Sequence, residues 1–185
     1  MVEGVVSEVI PKTEFELEPL TFGDTSEINR AAIHDFSKQL LKLANAVNAA
    51  TQSAAEASEQ LTAIEALTKS ASEVDPTLWK DIRALQVRLM DVTEKFTGDT
   101  TRERRNEDSM PGLQGRLMNA MMGAMGSTTG PTGTHRRQFE IAGEEFESAM
   151  LELKQLLDTD IPAMLKRLDE MGAPWTPGRG IPKWK

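Results

Sequence analysis

Beginning at Ile33, apolar side chains recur at Phe36, Leu40, Leu43, Val47, Ala50, Ala54, Ala57, Leu61 and Ile64, in steps that alternate between three and four. That period keeps one stripe of a helix turned toward a partner, as in helical bundles and coiled coils. Asp24 with Glu27 three residues on forms a capping box at its start, and neither Gly nor Pro intervenes before Pro76. The pattern predicts one helix of about 46 residues, about 70 Å long at 1.5 Å per residue. Asp75-Pro76 then supplies a cap and a first-turn proline, and Leu78, Ile82, Leu85, Leu89, Val92 and Phe96 carry a second helix to Gly98. Ser109 and Pro111 open a shorter third helix through Leu113, Leu117, Met121 and Met125, which STTGPTGT ends. A fourth starts near Pro131 and carries Phe139, Ala142, Phe146, Ala149, Leu153 and Leu156. Pro162 falls inside that pattern and removes a backbone donor, so a kink or restart is expected there, with Asp160 as the new cap.

Between the second and third helices lies GDTTRERRNEDSMPG, residues 98–112, with no apolar residue before Met110. The second and third helices together supply about 55 Å, short of the first. The polar stretch is therefore expected to make up the difference as an extended segment, crossing the first helix where its seam shrinks to Ala50, Ala54 and Ala57. Its arginines are expected to pair with Glu103, Glu107 and Asp108. The alternative is a basic patch of Arg102, Arg104, Arg105, Arg136 and Arg137, formed if the stretch lies beside the start of the fourth helix.

Residues 1–23 follow a different rule. GVVSEVI and TEFELEPL are β-rich, the second alternating Phe15 and Leu17 with Glu14, Glu16 and Glu18. Two short strands do not make a stable sheet, so a protein partner or a neighbouring domain is expected to pair with them. At the other end, APWTPGRGIPKWK carries Trp175 and Trp184, too large and apolar for a loose end, and this tail is expected to pack on the bundle. The expected organisation is a β appendage at 1–23, a helical bundle at 24–172 and a docked tail at 173–185.

Charge and composition narrow the function. A net charge of −8 disfavours a nucleic-acid backbone as the main partner. There are no cysteines, and no window approaches the length and apolarity of a transmembrane span. The N-terminus has neither the basic nor the long apolar region of a signal peptide.

Candidate chemistry is sparse. Glycosidases need two acids facing one another across a cleft, whereas Glu56, Glu59, Glu144, Glu145 and Glu152 lie between seam positions, on solvated faces. His34 and His135 each lack a second His or Cys at ligand spacing, and no G-x-S-x-G occurs. Gly130 to Thr134 lacks the lysine of a P-loop. No catalytic residue, metal ligand or cofactor is expected. LMNAMMGAM places Met118, Met121, Met122 and Met125 on nearly one side of a helix. Adaptable core packing is the preferred reading, a partner surface the second, and thioether ligation of copper the third. Phe15, Leu17, the four methionines, Trp175 and Trp184 are the candidate partner-binding residues.

Three segments also carry a resemblance: Gly98-Asp99-x-x-Arg102-x-Arg104-Arg105-Asn106-Glu107, Gly130-Pro131-Thr132-x-Thr134-His135-Arg136-Arg137-Gln138, and Gly172-Ala173-Pro174-Trp175-Thr176-Pro177-Gly178-Arg179. Together, over residues 12–185, they resemble the C-terminal helical region of large exported bacterial proteins with sortilin-like or BNR-repeat β-propellers, many labelled glycosyl hydrolases. The resemblance implies a periplasmic or extracellular location and a preceding β domain, of which residues 1–23 are a remnant. It implies no activity here, because the propeller lies outside these residues. The expected fold is an all-α, elongated, antiparallel three-layer bundle with a short N-terminal β appendage. The expected function is a non-catalytic structural or interaction module, an accessory subunit or docking spacer. The alternative is the non-catalytic C-terminal part of a propeller hydrolase.

Overall fold

A computed structural model describes residues 14–16, 29–70, 76–127 and 129–181. Its helices are α1 (Arg30–Ser70), α2 (Pro76–Thr97), α3 (Thr100–Arg104), α4 (Leu113–Met125), α5 (Gly133–Gln155) and α6 (Ile161–Glu170), with a π turn at Leu156–Asp160 joining the last two. Among the described residues every regular element is helical, and none is long and apolar enough to cross a membrane. The β appendage lies outside the described residues apart from 14–16, which form no strand and leave Phe15 exposed.

Except for the single turn α3, the helices pack in three antiparallel columns. Side-chain pairs fix the register. Lys69 lies over the Trp79 ring and Gln86 donates to Glu65 (2.8 Å), so α2 runs back along the C-terminal half of α1. This bond, followed by the Lys69 contact, holds the Glu65 carboxyl below its usual range. Gln114 meets Thr51 at 3.4 Å, and a Cβ at Gly130 would lie 2.6 Å from Ile33, so α4 continues the same column along the N-terminal half. The third column pairs with the second through Arg116–Glu145 near the start of α4. Farther along it does so through Lys95–Glu152, Arg88–Asp160 and Arg167–Asp81.

The seams meet in one core, with Leu40, Leu61, Ile64, Phe96, Leu113, Leu153 and Leu168 each 0% exposed. Phe36 and Phe139 meet edge to face with ring centroids 5.3 Å apart, and the rings of Phe96 and Phe146 lie tilted at 6.4 Å. The described start of α1 is capped by Asn29, whose Oδ1 accepts from Ala32 N (2.9 Å); Asp24, Glu27 and Asp75 lie outside the described residues.

The polar stretch does not cross α1. The backbones of Gly98 and Gly112 touch: a side chain at Gly112 would meet the Thr97 carbonyl carbon at 2.8 Å and run into Gly98. α4 therefore resumes almost where α2 stops, and the residues between are extruded as a closed excursion in which every position from 100 to 108 is exposed. Gly98 sits at φ +87°, which favours glycine where the chain leaves the column. Asp99 caps α3, accepting from Thr101 N and Arg102 N at 3.0 Å each. Arg102 pairs with Asp99 and Arg105 with Glu107. No single basic patch forms. Arg136 and Arg137 lie at the opposite end of α4, about 20 Å away by helical rise. There Arg136 covers the Phe36 ring, and Arg137 is bound by Glu140 and Glu144, which raise its pKa.

Pro162 is absorbed rather than marked by a cap. The N–H of Ile161 reaches back to Leu156 O, which widens one turn and accommodates the missing donor. Asp160 stays helical and makes no cap; its carboxylate binds Arg88 (2.6 Å) and Gln155 (3.1 Å) instead.

A candidate interaction surface on α4

α4 has thirteen residues and one charge, Arg116. Its inner face is Leu113, Leu117, Ala120 and Ala124, all buried, with Arg116 and Gly123 turned toward α5. Arg116 is 8% exposed, and its guanidinium is consumed there: Nε and Nη2 donate to Glu145 at 3.0 and 3.3 Å, and Nη1 donates to Gln138 at 3.0 Å. A buried charge paired on several atoms avoids the penalty of an unpaired one. Next along this side, Gly123 leaves room for the ring of His135. That imidazole completes a reciprocal cap: Nδ1 accepts from Thr132 N (3.2 Å), and Thr132 Oγ1 accepts from His135 N (3.4 Å).

With its only charge turned inward, α4 shows solvent Gly115, Met118, Asn119, Met122 and Met125. Met118, Met122 and Met125 are 60%, 67% and 62% exposed, so core packing is not their role. Met121 alone of the four is partly buried against the core. The steps of four and three put the exposed three within one narrow arc of the helix. On α1, the row Ile33, Ser37, Leu41, Ala44, Asn48 and Thr51 has the same steps, and its two ends are the contacts with Gly130 and Gln114. Leu41 sits midway in that row and is 42% exposed, an apolar side chain on the row of α1 that borders α4.

Other candidates fall elsewhere. Phe15 is exposed; Leu17 and Trp184 lie outside the described residues. Trp175 is 54% exposed and donates through Nε1 to the carbonyls of Arg179 and Gly180. Its neighbours hold the tail: Thr176 is buried, Arg179 binds Asp169, and Gly178 lies against Gln60. A cleft of about 730 Å³ opens beneath the polar excursion, but Lys95, Arg102 and Arg116 in its wall are each already ion-paired. Among the described residues no group of three His, Cys, Asp or Glu is placed to hold a metal ion. The burial of Arg116 was missed in the sequence, although it lies three residues from Leu113 and beside Leu117, in phase with the inner face.

No family model, no curated protein and no solved structure matches this chain.

Proposed function

We propose that this chain is a non-catalytic helical interaction module that receives an amphipathic helix of a partner protein in the trough formed by α4 and the Leu41 row of α1. The observation that carries it is the uncharged methionine face of α4, on a chain with 27% charged residues. Such a face offers no ion pair, so the occupant must present an apolar stripe of its own. Met118 to Met125 spans two helical turns, the repeat of such a stripe, and flexible thioether side chains mould to it. A second copy fits this trough poorly. Its own α4 would set one uncharged methionine face against another, with no complementary charge to fix the register of the pair. The three sequence motifs of the tail, the excursion and the start of α5 support an accessory or docking part of an exported bacterial assembly. The same motifs support, as an alternative, the C-terminal part of a propeller hydrolase.

A photo-crosslinking residue at 122, with one at the exposed Glu144 on α5 as control, tests this in cells of the source organism. The expected result is an adduct from 122 and not from 144, with the cross-linked peptide on the apolar row of a partner helix. Equal labelling from both positions, or an adduct mapping to this same chain, would overturn it.

A further inference from the structure

α2 carries a second unoccupied face of a different kind. One flank of this helix is taken by α1, through Trp79 and Gln86. The other is taken by the third column, through Thr77, Asp81, Arg88 and Lys95. Between these flanks runs an exposed row: Lys80, Arg83, Ala84, Val87, Met90, Asp91 and Glu94. Val87 and Met90 are 37% and 59% exposed, and a shallow groove of about 630 Å³ lies along the N-terminal part of the row. Lys80, Asp91 and Glu94 make no ion pair among the described residues, whereas Arg88 and Lys95 beside them are both paired. Arg83 donates to Gln86 at 3.5 Å and, after Gln86 and Lys69, helps to lower the Glu65 pKa. Asp91 and Glu94 stand in the wall of the cleft beneath the excursion.

The order of the row decides its occupant. It is basic at its N-terminal end, apolar in the middle and acidic at its C-terminal end, and the positions are symmetric about Val87. Ala84 and Met90 lie three residues to either side of Val87, Arg83 and Asp91 four, and Lys80 and Glu94 seven. These are the offsets that share one face of a helix. We infer that α2 is a self-association surface, on which a second copy of this chain lays its own α2 antiparallel about a two-fold axis at Val87. Lys80 then faces the partner's Glu94 and Arg83 faces the partner's Asp91, each pair occurring twice by symmetry, while Val87 meets the partner's Val87. Ala84 leaves room for the partner's Met90. A parallel arrangement in register sets like charges opposite one another, so the sequence selects the antiparallel one. The row covers about 22 Å of helix by rise, and an interface of that size sits at the small end of specific contacts. The dimer is therefore reversible and concentration-dependent. It leaves α4, the next helix in the column, free for the proposed partner, so this inference does not rest on the function assigned to α4.

Sedimentation equilibrium of the full chain with charge-reversal variants tests it. The wild-type chain is expected to shift from monomer to dimer with rising concentration. Lys80→Glu with Arg83→Glu makes the row wholly acidic, and Asp91→Lys with Glu94→Lys makes it wholly basic. Each double variant alone is expected to weaken dimerisation at least tenfold, and the two mixed are expected to form a heterodimer. Combining all four substitutions reverses the pattern, keeps the net charge at −8 and is expected to restore the homodimer. Circular dichroism confirms that each variant is folded. A wild type that stays monomeric at millimolar concentration would overturn the inference. So would a dimer insensitive to both double variants, or a mixture that does not associate.

Discussion

α2 and α4 form one column, bury their inner faces in the same core and differ in their outer ones. Inward, Leu78, Ile82, Leu85, Leu89, Val92 and Phe96 on the first, and Leu113, Leu117, Ala120 and Ala124 on the second, are buried against the same core. Outward, α2 shows a graded row of charges around Val87, and α4 shows thioethers with no charge at all. The inner faces obey one rule because both must fill the space beside α1, and packing density leaves little choice. The outer faces face only water in the isolated chain, so nothing in the fold forces them to differ. On the two proposals above, that difference is where interaction is encoded: self-complementary charge on α2, adaptable apolar surface on α4.

The largest expected effects lie in the core that the two helices share. Leu89→Ala and Leu117→Ala each truncate a nearly inaccessible side chain, at 2% and 3% exposure. Each is expected to cost about 2–5 kcal/mol by urea denaturation, since both leave a cavity in the shared core. A large cost at one and none at the other would show that the two helices do not share one core. Next comes the joint between them. Gly112→Ala drives a Cβ into the Gly98 backbone, with an expected loss of about 1–3 kcal/mol, while Gly115→Ala on the outer face of α4 is expected to cost far less. Arg116→Ala removes the charge that α4 turns inward and leaves Gln138 and Glu145 without their donor, for about 1–3 kcal/mol. The smallest effects belong outside. Met122→Lys and Val87→Lys are each expected to change stability by less than about 0.5 kcal/mol in the isolated chain, read as thermal midpoints. A large loss from either would mean that its outer face is structural after all.

The seams were legible because steps of three and four over many turns admit one helical phase, and the buried set of α1 follows the periodic positions from Phe36 to Ile64. Within α4 the phase slipped. Four methionines make most of the helix surface apolar, so a stripe through Met121 and Met125 looked as good as the true one through Ala120 and Ala124. Small residues had hidden the inner face, and large ones had advertised the outer. The excursion was misplaced for another reason. Comparing helix lengths assumed that the columns must match end to end, but α2 and α4 supply 22 and 13 residues against 41 in α1, and nothing bridges the shortfall. The glycines at both ends of the stretch, Gly98 and Gly112, were the available signal, since two backbones that touch need residues without side chains. Pro162 marked a real irregularity, yet a sequence cannot say whether a helix will break or widen by one residue to keep its axis.

The claim that the outer face of α4 is covered in use can be read from its own sulfur atoms. Met118, Met122 and Met125 are as open to solvent as Met90, and Met110 on the excursion is 78% exposed. Brief treatment with hydrogen peroxide, which transfers one oxygen to each accessible thioether and leaves water, followed by peptide mass spectrometry, compares the purified chain with the native assembly. Rapid sulfoxidation of Met110, Met118, Met122 and Met125 is expected in the purified chain. In the assembly, protection of Met118, Met122 and Met125 is expected, with Met110 unchanged. Equal oxidation of the α4 methionines in both samples, against an unchanged Met110, would contradict the claim.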